Sequence, residues 1–202
     1  MIHADDLLFI PPGELEIKSR TLSPEDIGQL VELLGEKDDK IRYQAFQLLQ
    51  WRSRNFNDVC PYFDALAEKL KSTNSYQRSI GVMLIADNAR WDTERRFEQA
   101  FDAFMAVLYD EKPITVRQMI QSLAEVVPYK PELQSEIARR LIHFDLSQVR
   151  ETMRKSILTD ILNVLALIRT YQRDEAVEKY IAGALSGDLL DKKAKKQIQA
   201  LL

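Results

Sequence analysis

The sequence is poor in the residue types on which catalysis and covalent stapling draw. Its single cysteine, Cys60, has no partner for an internal disulfide, which agrees with a reducing compartment. Cys60 precedes Pro61 near an expected helix start, where a thiolate is mildly favoured, but no histidine neighbours it. The two histidines, His3 and His143, lie far apart, and no serine stands in a Gly-x-Ser-x-Gly turn. A Walker-type loop, a dinucleotide glycine fingerprint and metal-ligand spacings are all missing. These absences point away from conventional catalysis, from a cofactor and from a metal, without excluding an enzyme assembled from scattered residues.

Other scarcities bound the architecture. With 6 Gly and 7 Pro in 202 residues, long loops and disordered stretches have little to be built from. No apolar run approaches the roughly 18 residues of a membrane span, and the richest stretch, 157–168, is interrupted by Asp160 and Asn163. Neither sign of charge dominates: 28 Lys and Arg stand against 31 Asp and Glu, a net charge of -3. A chain so balanced has no global reason to bind nucleic acid, whose affinity comes from phosphate neutralisation by Lys and Arg. The opening Met-Ile-His-Ala-Asp-Asp is acidic where a secretory signal carries positive charge, so a cytoplasmic, membrane-free protein is expected.

What is present is a repeat. Arg42, Arg78, Arg117 and Arg154 follow one another at 36, 39 and 37 residues, each opening an apolar helical pattern. That interval suits helix-pair repeats of the HEAT and armadillo kind. One such hairpin cannot bury its apolar face alone, so hairpins must stack, which leaves a long surface for a partner. The expectation is an all-α, right-handed α-α superhelix of about five hairpins.

Residues 1–22 lack a helical period and contain Pro11, Pro12 and Gly13, which predicts an irregular N-terminal arm with a short strand or turn around Leu15 to Ile17. Residues 23–202 then form one solenoid domain. Ser23-Pro24-Glu25-Asp26 reads as N-cap, first-turn proline and first-turn acids, with Ile27, Leu30, Val31 and Leu34 on one face and Gly35 as the stop. Further first helices are expected to start near Asn57, Thr93 and Pro131. Aligning the arginines places Gly81 and Ile120 opposite Ala45, positions where neighbouring hairpins should pack closely. A closing pair at about 173–185 and 188–201 ends in Lys192, Lys193, Lys195 and Lys196, as a polar cap would. Residues 1–40, by contrast, hold ten acidic and four basic side chains, so the two ends differ in sign.

The segments Asn74-Ser-Tyr-Gln-Arg78, Ala86-Asp-Asn-Ala-Arg-Trp-Asp92, Asp110-Glu-Lys-Pro-Ile-Thr-Val-Arg117 and Tyr129-Lys-Pro-Glu-Leu133 resemble small bacterial HEAT-repeat proteins often labelled SufBD-like. The likeness runs from about residue 23 to 160. The label borrows the name of iron-sulfur scaffold proteins with a β-helical core, whereas this chain reads as helical throughout. The resemblance implies an α-solenoid of unassigned activity and brings no catalytic residues.

Three groups are candidates for chemistry. The arginine ladder reads first as structural, each guanidinium pairing with an acid or carbonyl of the adjoining turn, and second as a line of anion-binding groups. Arg90-Trp91-Asp92 with Arg95 and Arg96 is the densest aromatic and basic cluster, able to stack a base or hold a peptide side chain, though a junction Trp more often packs an interface. Asp160 enters an apolar stripe, where an acid needs a partner that Arg154, Lys155 or Arg117 could supply. By register the second helices should turn Gln44, Gln47, Gln77, Met83, Gln118, Gln121 and Glu125 towards a concave face, a set suited to adaptable contacts with a peptide or helix.

The leading expectation is therefore a non-enzymatic scaffold or adaptor that binds a partner protein or peptide. The rival is a HEAT-like nucleic-acid enzyme of the alkylpurine DNA glycosylase type, to which Trp51, Trp91, Asp87 and Asp160 could be recruited. No pattern matches that family in order, and the net charge opposes it.

Overall fold

The computed structural model describes residues 2–202, and of Pro12 the backbone alone. Twelve α-helices linked by 3-10 turns make up the described residues, which contain no strand. The contacts cluster into two compact units, Met1–Phe104 and Met105–Leu202.

In the first unit, α1 (Ala4–Leu7) and α2 (Leu15–Arg20) precede α3 (Pro24–Leu33) and α4 (Asp39–Asn55). The expected irregular arm is thus corrected: no strand forms around Leu15, and residues 4–20 are largely helical. Leu7, Leu15 and Leu22 are buried, and α1 and α2 pack on α4. Arg52 of α4 holds α2 there. Its Nη1 donates to the carbonyls of Ser19 and Arg20 at 2.9 and 3.0 Å, at the end of α2, where unpaired carbonyls and the helix dipole favour a cation. The other side of the guanidinium pairs with Asp58 at 2.6 Å, and its carbon lies 3.8 Å from the centre of the Phe56 ring.

The start of α3 follows from its sequence. Ser23 Oγ accepts from the Asp26 amide and Asp26 accepts from the Ser23 amide, a reciprocal cap worth about 1 kcal/mol. The helix buries Ile27, Leu30 and Val31 against α4. Next come α5 (Phe63–Glu68), preceded by a 3-10 turn over Cys60–Tyr62, and α6 (Ser75–Asn88), which packs on both α5 and α4. Here Gly81 sits where a Cβ would lie 3.1 Å from the Leu66 carbonyl and 3.2 Å from Leu70 Cδ2. The close approach expected at this position is present, but between the two helices of one hairpin rather than between neighbouring hairpins. α7 (Arg96–Ala106) brings Phe97, Phe101 and Phe104, whose rings stand 5.2 to 6.3 Å apart in the core.

In the second unit, α8 (Pro113–Val126), α9 (Gln134–Ile142), α10 (Glu151–Arg169), α11 (Glu175–Ser186) and α12 (Lys192–Gln199) continue the alternation. α10 is its centre, packed by α8, α9, α11 and α12, and it buries Ile157, Ile161, Leu165 and Ile168 completely. Asp174 and Asp191 cap α11 and α12 by accepting from amides two or three residues on. The first helices begin later than expected, at Phe63, Arg96 and Gln134, because 3-10 turns or a capped bend occupy the predicted starts. Before α7 that bend places Arg95 at φ 59°, while Asp92 accepts from the amides of Arg96 and Phe97.

Candidate functional site

The second helices of each unit, α4 and α6 in the first and α8, α10 and α12 in the second, carry nearly all the candidates. α4 begins at Asp38, which accepts from the amides of Lys40 and Ile41; α6 begins at Asn74, which accepts from Tyr76. These caps set the register of the ladder. Arg42, 8% exposed, donates to the Glu36 carbonyl at 2.7 Å, pairs with Asp39 and lies 4.6 Å from the Tyr76 ring centre. Arg78 donates to the Ser72 carbonyl at 2.7 Å. Arg154 donates to the carbonyls of Val149 and Ser147 at 2.9 and 3.0 Å. Three of the four thus reach back to a carbonyl of the preceding turn.

Arg117 differs. Its Nε and Nη2 grip Asp160 of α10 at 2.6 and 3.2 Å, and Gln121, one turn further along α8, donates to the same carboxylate at 3.0 Å. Of the three cations in view for Asp160, it is Arg117 that pairs with it. The bond to Asp160 holds the Arg117 pKa above its ordinary value. The first unit repeats the device: Gln50 and Arg54, also four apart on α4, bind Asp87 of α6 at 2.9 and 3.2 Å. Asp87 is 1% exposed and Asp160 5%. In each unit a buried carboxylate joins two adjacent second helices through an i, i+4 arginine and glutamine pair, which supplies the hydrogen bonds a buried charge requires.

The Arg90 and Trp91 group closes the same junction. Trp91 Nε1 donates to the Ser53 carbonyl at 2.5 Å, Arg90 Nη1 to the Arg54 carbonyl at 3.1 Å, and the fully buried Asn88 to Ser53 Oγ at 2.9 Å. Arg95 and Arg96 instead pair with Glu98 and Glu94 at 3.1 and 2.9 Å. Trp91 and Arg96 meet around a 180 Å³ recess that also touches the buried Cys60.

The glutamine set divides. Gln44 donates to the Ile10 carbonyl at 3.2 Å; Gln77 donates to the Leu34 carbonyl at 2.7 Å and accepts from Lys69 at 2.7 Å; Gln121 is bound to Asp160. Lys69, half-buried and close to Arg42, has its pKa lowered first by burial and then by that charge. Gln47, Met83, Gln118 and Glu125 are half-buried, while Ala45 and Ile120 are fully buried. Met83 stands out, because from Ser79 to Ala89 every other residue of the helix and its end is buried.

The chain matches no family model and no curated protein. A solved structure does share its fold. A designed armadillo repeat protein, determined in complex with the peptide (KR)4, aligns with a TM-score of 0.55 at 12% identity, covering 98% of this chain and 96% of that one. The fold is therefore an all-α, armadillo-like repeat solenoid. Nothing in these comparisons supports the SufBD-like label.

Two features of the solenoid surface escaped the spacing argument. On α10 the residues left unburied between Ile157 and Ile168 are Thr159, Asn163 and Leu167, a stripe at i, i+4 and i+8. In the same unit a cleft of about 320 Å³ is lined by Tyr109, Val116, Phe144, Val149 and Ile157, with Asp110, Glu111 and Arg150 beside them. Of the first, Thr159 and Asn163 were readable as polar gaps in an apolar helix and Leu167 was not; the second depends on how the turns fold. Among the described residues no three His, Cys, Asp or Glu side chains come together as a metal site, and no helix is long and apolar enough to cross a membrane.

Proposed function

We propose that the chain is a non-enzymatic, peptide-binding repeat scaffold of the cytoplasm that receives a partner protein or peptide on the concave face formed by its second helices. Met83 carries the reading. A thioether left half-open in a helix that is otherwise buried is an adaptable apolar contact, and the adjacent α4 offers Tyr43, Gln47 and Trp51 on one stripe. The designed armadillo protein, whose fold this chain shares, was solved with a peptide, which supports the same kind of occupant. The arginine ladder fits a structural role on this reading, since each guanidinium group donates to a carbonyl or pairs with Asp39 or Asp160. Kinship with the small HEAT-type proteins rests on the four quoted segments alone.

The test is selection from a displayed peptide library with the full chain, followed by titration of the enriched peptides. Met83→Asp should weaken the selected peptides by about tenfold or more, as expected for burying an unpaired charge at a contact, with the melting temperature unchanged. Peptides that bind the variant as well as the original chain would refute the proposed face.

A further inference from the structure

Between α8, α10 and α12 of the second unit lies a polar basin of about 290 Å³. Arg117 enters it from α8, Lys155 and Ser156 from α10, and Lys193 and Gln197 from α12, with Asp191 at its margin and Asp160 behind Arg117. The acids are occupied. Asp160 accepts from Arg117 through one oxygen and from Arg117 and Gln121 through the other. Asp191 accepts from Lys155 through one oxygen and from the Ala194 amide through the other.

The donors are not. Among the described residues, Arg117 Nη1, the Ser156 hydroxyl, the Lys193 ammonium and the Gln197 amide have no hydrogen-bond or ion-pair partner, and Lys155 has used one ammonium proton of its three. Three cations against two carboxylates leave the basin with one positive charge. Such a surplus of donors is completed by a ligand that brings acceptors and negative charge. A carboxylate brings two oxygens, whereas a phosphoryl group brings three and a charge between -1.5 and -2 at about neutral pH. A volume of about 290 Å³ also suits a small head group better than an extended ligand.

We propose that this basin is an oxyanion site that takes inorganic phosphate or a phosphate monoester. Its donors converge from three consecutive second helices, so a phosphorylated side chain on a bound peptide would be anchored there; that extension, unlike the site itself, rests on the peptide-binding reading above.

The probe is inorganic phosphate, titrated calorimetrically into the full chain, with acetate and chloride at matched ionic strength as comparison anions. One phosphate site is expected. The double variant Lys193→Gln, Gln197→Ala should bind about tenfold more weakly, because it loses one charge-assisted and one neutral hydrogen bond. Both side chains are exposed and unpartnered, so the variant should melt as the original chain does. Absence of binding up to about 10 mM phosphate, equal affinity for acetate, or an unchanged affinity in the double variant would each overturn the site. A short alanine peptide bearing one phosphoserine separates the sources: tighter binding than free phosphate assigns a partner-borne group, and equal binding assigns the free ion. A chain that binds phosphate but selects no peptide would sink the peptide reading and leave the site standing.

Discussion

Arg78 and Arg117 occupy equivalent places near the starts of α6 and α8, yet the structure gives them different partners. Arg78 reaches back to the Ser72 carbonyl, while Arg117 reaches to the buried Asp160 of α10. Removing them should therefore not cost the same. Arg78→Ala loses the hydrogen bond to the Ser72 carbonyl, a cost of about 1 kcal/mol for that bond. Arg117→Ala leaves Asp160 buried with a charge held only by Gln121, and should cost about 3 kcal/mol, the low end of the range for an orphaned buried ion because Arg117 is itself partly wet. Adding Asp160→Asn should recover part of that loss by removing the stranded charge. Urea unfolding of the three variants decides it: equal costs for both arginines, with no recovery, would mean that the clamp does not matter. The spacing of the arginines was legible in the sequence. Which of them faced a carbonyl and which an acid in the next hairpin was not, since that depends on where Asp160 lands across two packed helices.

At the scale of the element, space rather than backbone freedom decides what a glycine does here. Gly81 and Gly183 both lie inside helices with ordinary negative φ. A Cβ at Gly81 would press on the Leu66 carbonyl at 3.1 Å and on Leu70 at 3.2 Å, whereas one at Gly183 would meet nothing within 4 Å. Gly81→Leu should wedge α5 from α6 and destabilise by about 1 to 3 kcal/mol through overpacking. Gly183→Ala should stabilise by about 0.5 to 1 kcal/mol, the helix propensity gain at an open position. Thermal melts that show the reverse order would break the assigned register of α6. The alignment of the arginines singled out Gly81 correctly as a tight position but gave it the wrong neighbour. Other elements show where sequence signals stop. Ser23-Pro24 marked α3 because cap, proline and acid agree at one point. α1 and α2, four and six residues long, are too short to display a period, and the end of α2 is held by Arg52 far along the chain.

For the whole molecule, function lies in the side chains that remain after packing, and packing is the part that spacing cannot supply. Gln44, Gln77 and Gln121 read as surface groups by register, yet each is tied to a carbonyl or carboxylate of the chain, while Ser156 and Gln197, which no pattern singled out, line a basin with Lys155 and with Lys193 of the expected cap. The same accounting bears on the nucleic-acid enzyme as a rival. Its candidate acids, Asp87 and Asp160, are buried and clamped by arginine and glutamine, so neither stands free to stabilise an oxocarbenium ion or to activate a water at an opened groove. A net charge of -3 offers duplex DNA little electrostatic attraction, and an oxyanion basin of one positive charge would hold a single phosphate rather than track a backbone. We therefore expect no release of alkylated bases from duplex DNA at low salt, where any weak binding would be strongest. The assay compares the original chain with Asp87→Asn and Asp160→Asn, both checked for folding. Base release by the original chain that vanishes in either folded variant would show that a buried, clamped aspartate can be freed for chemistry, and the scaffold reading would have to give way.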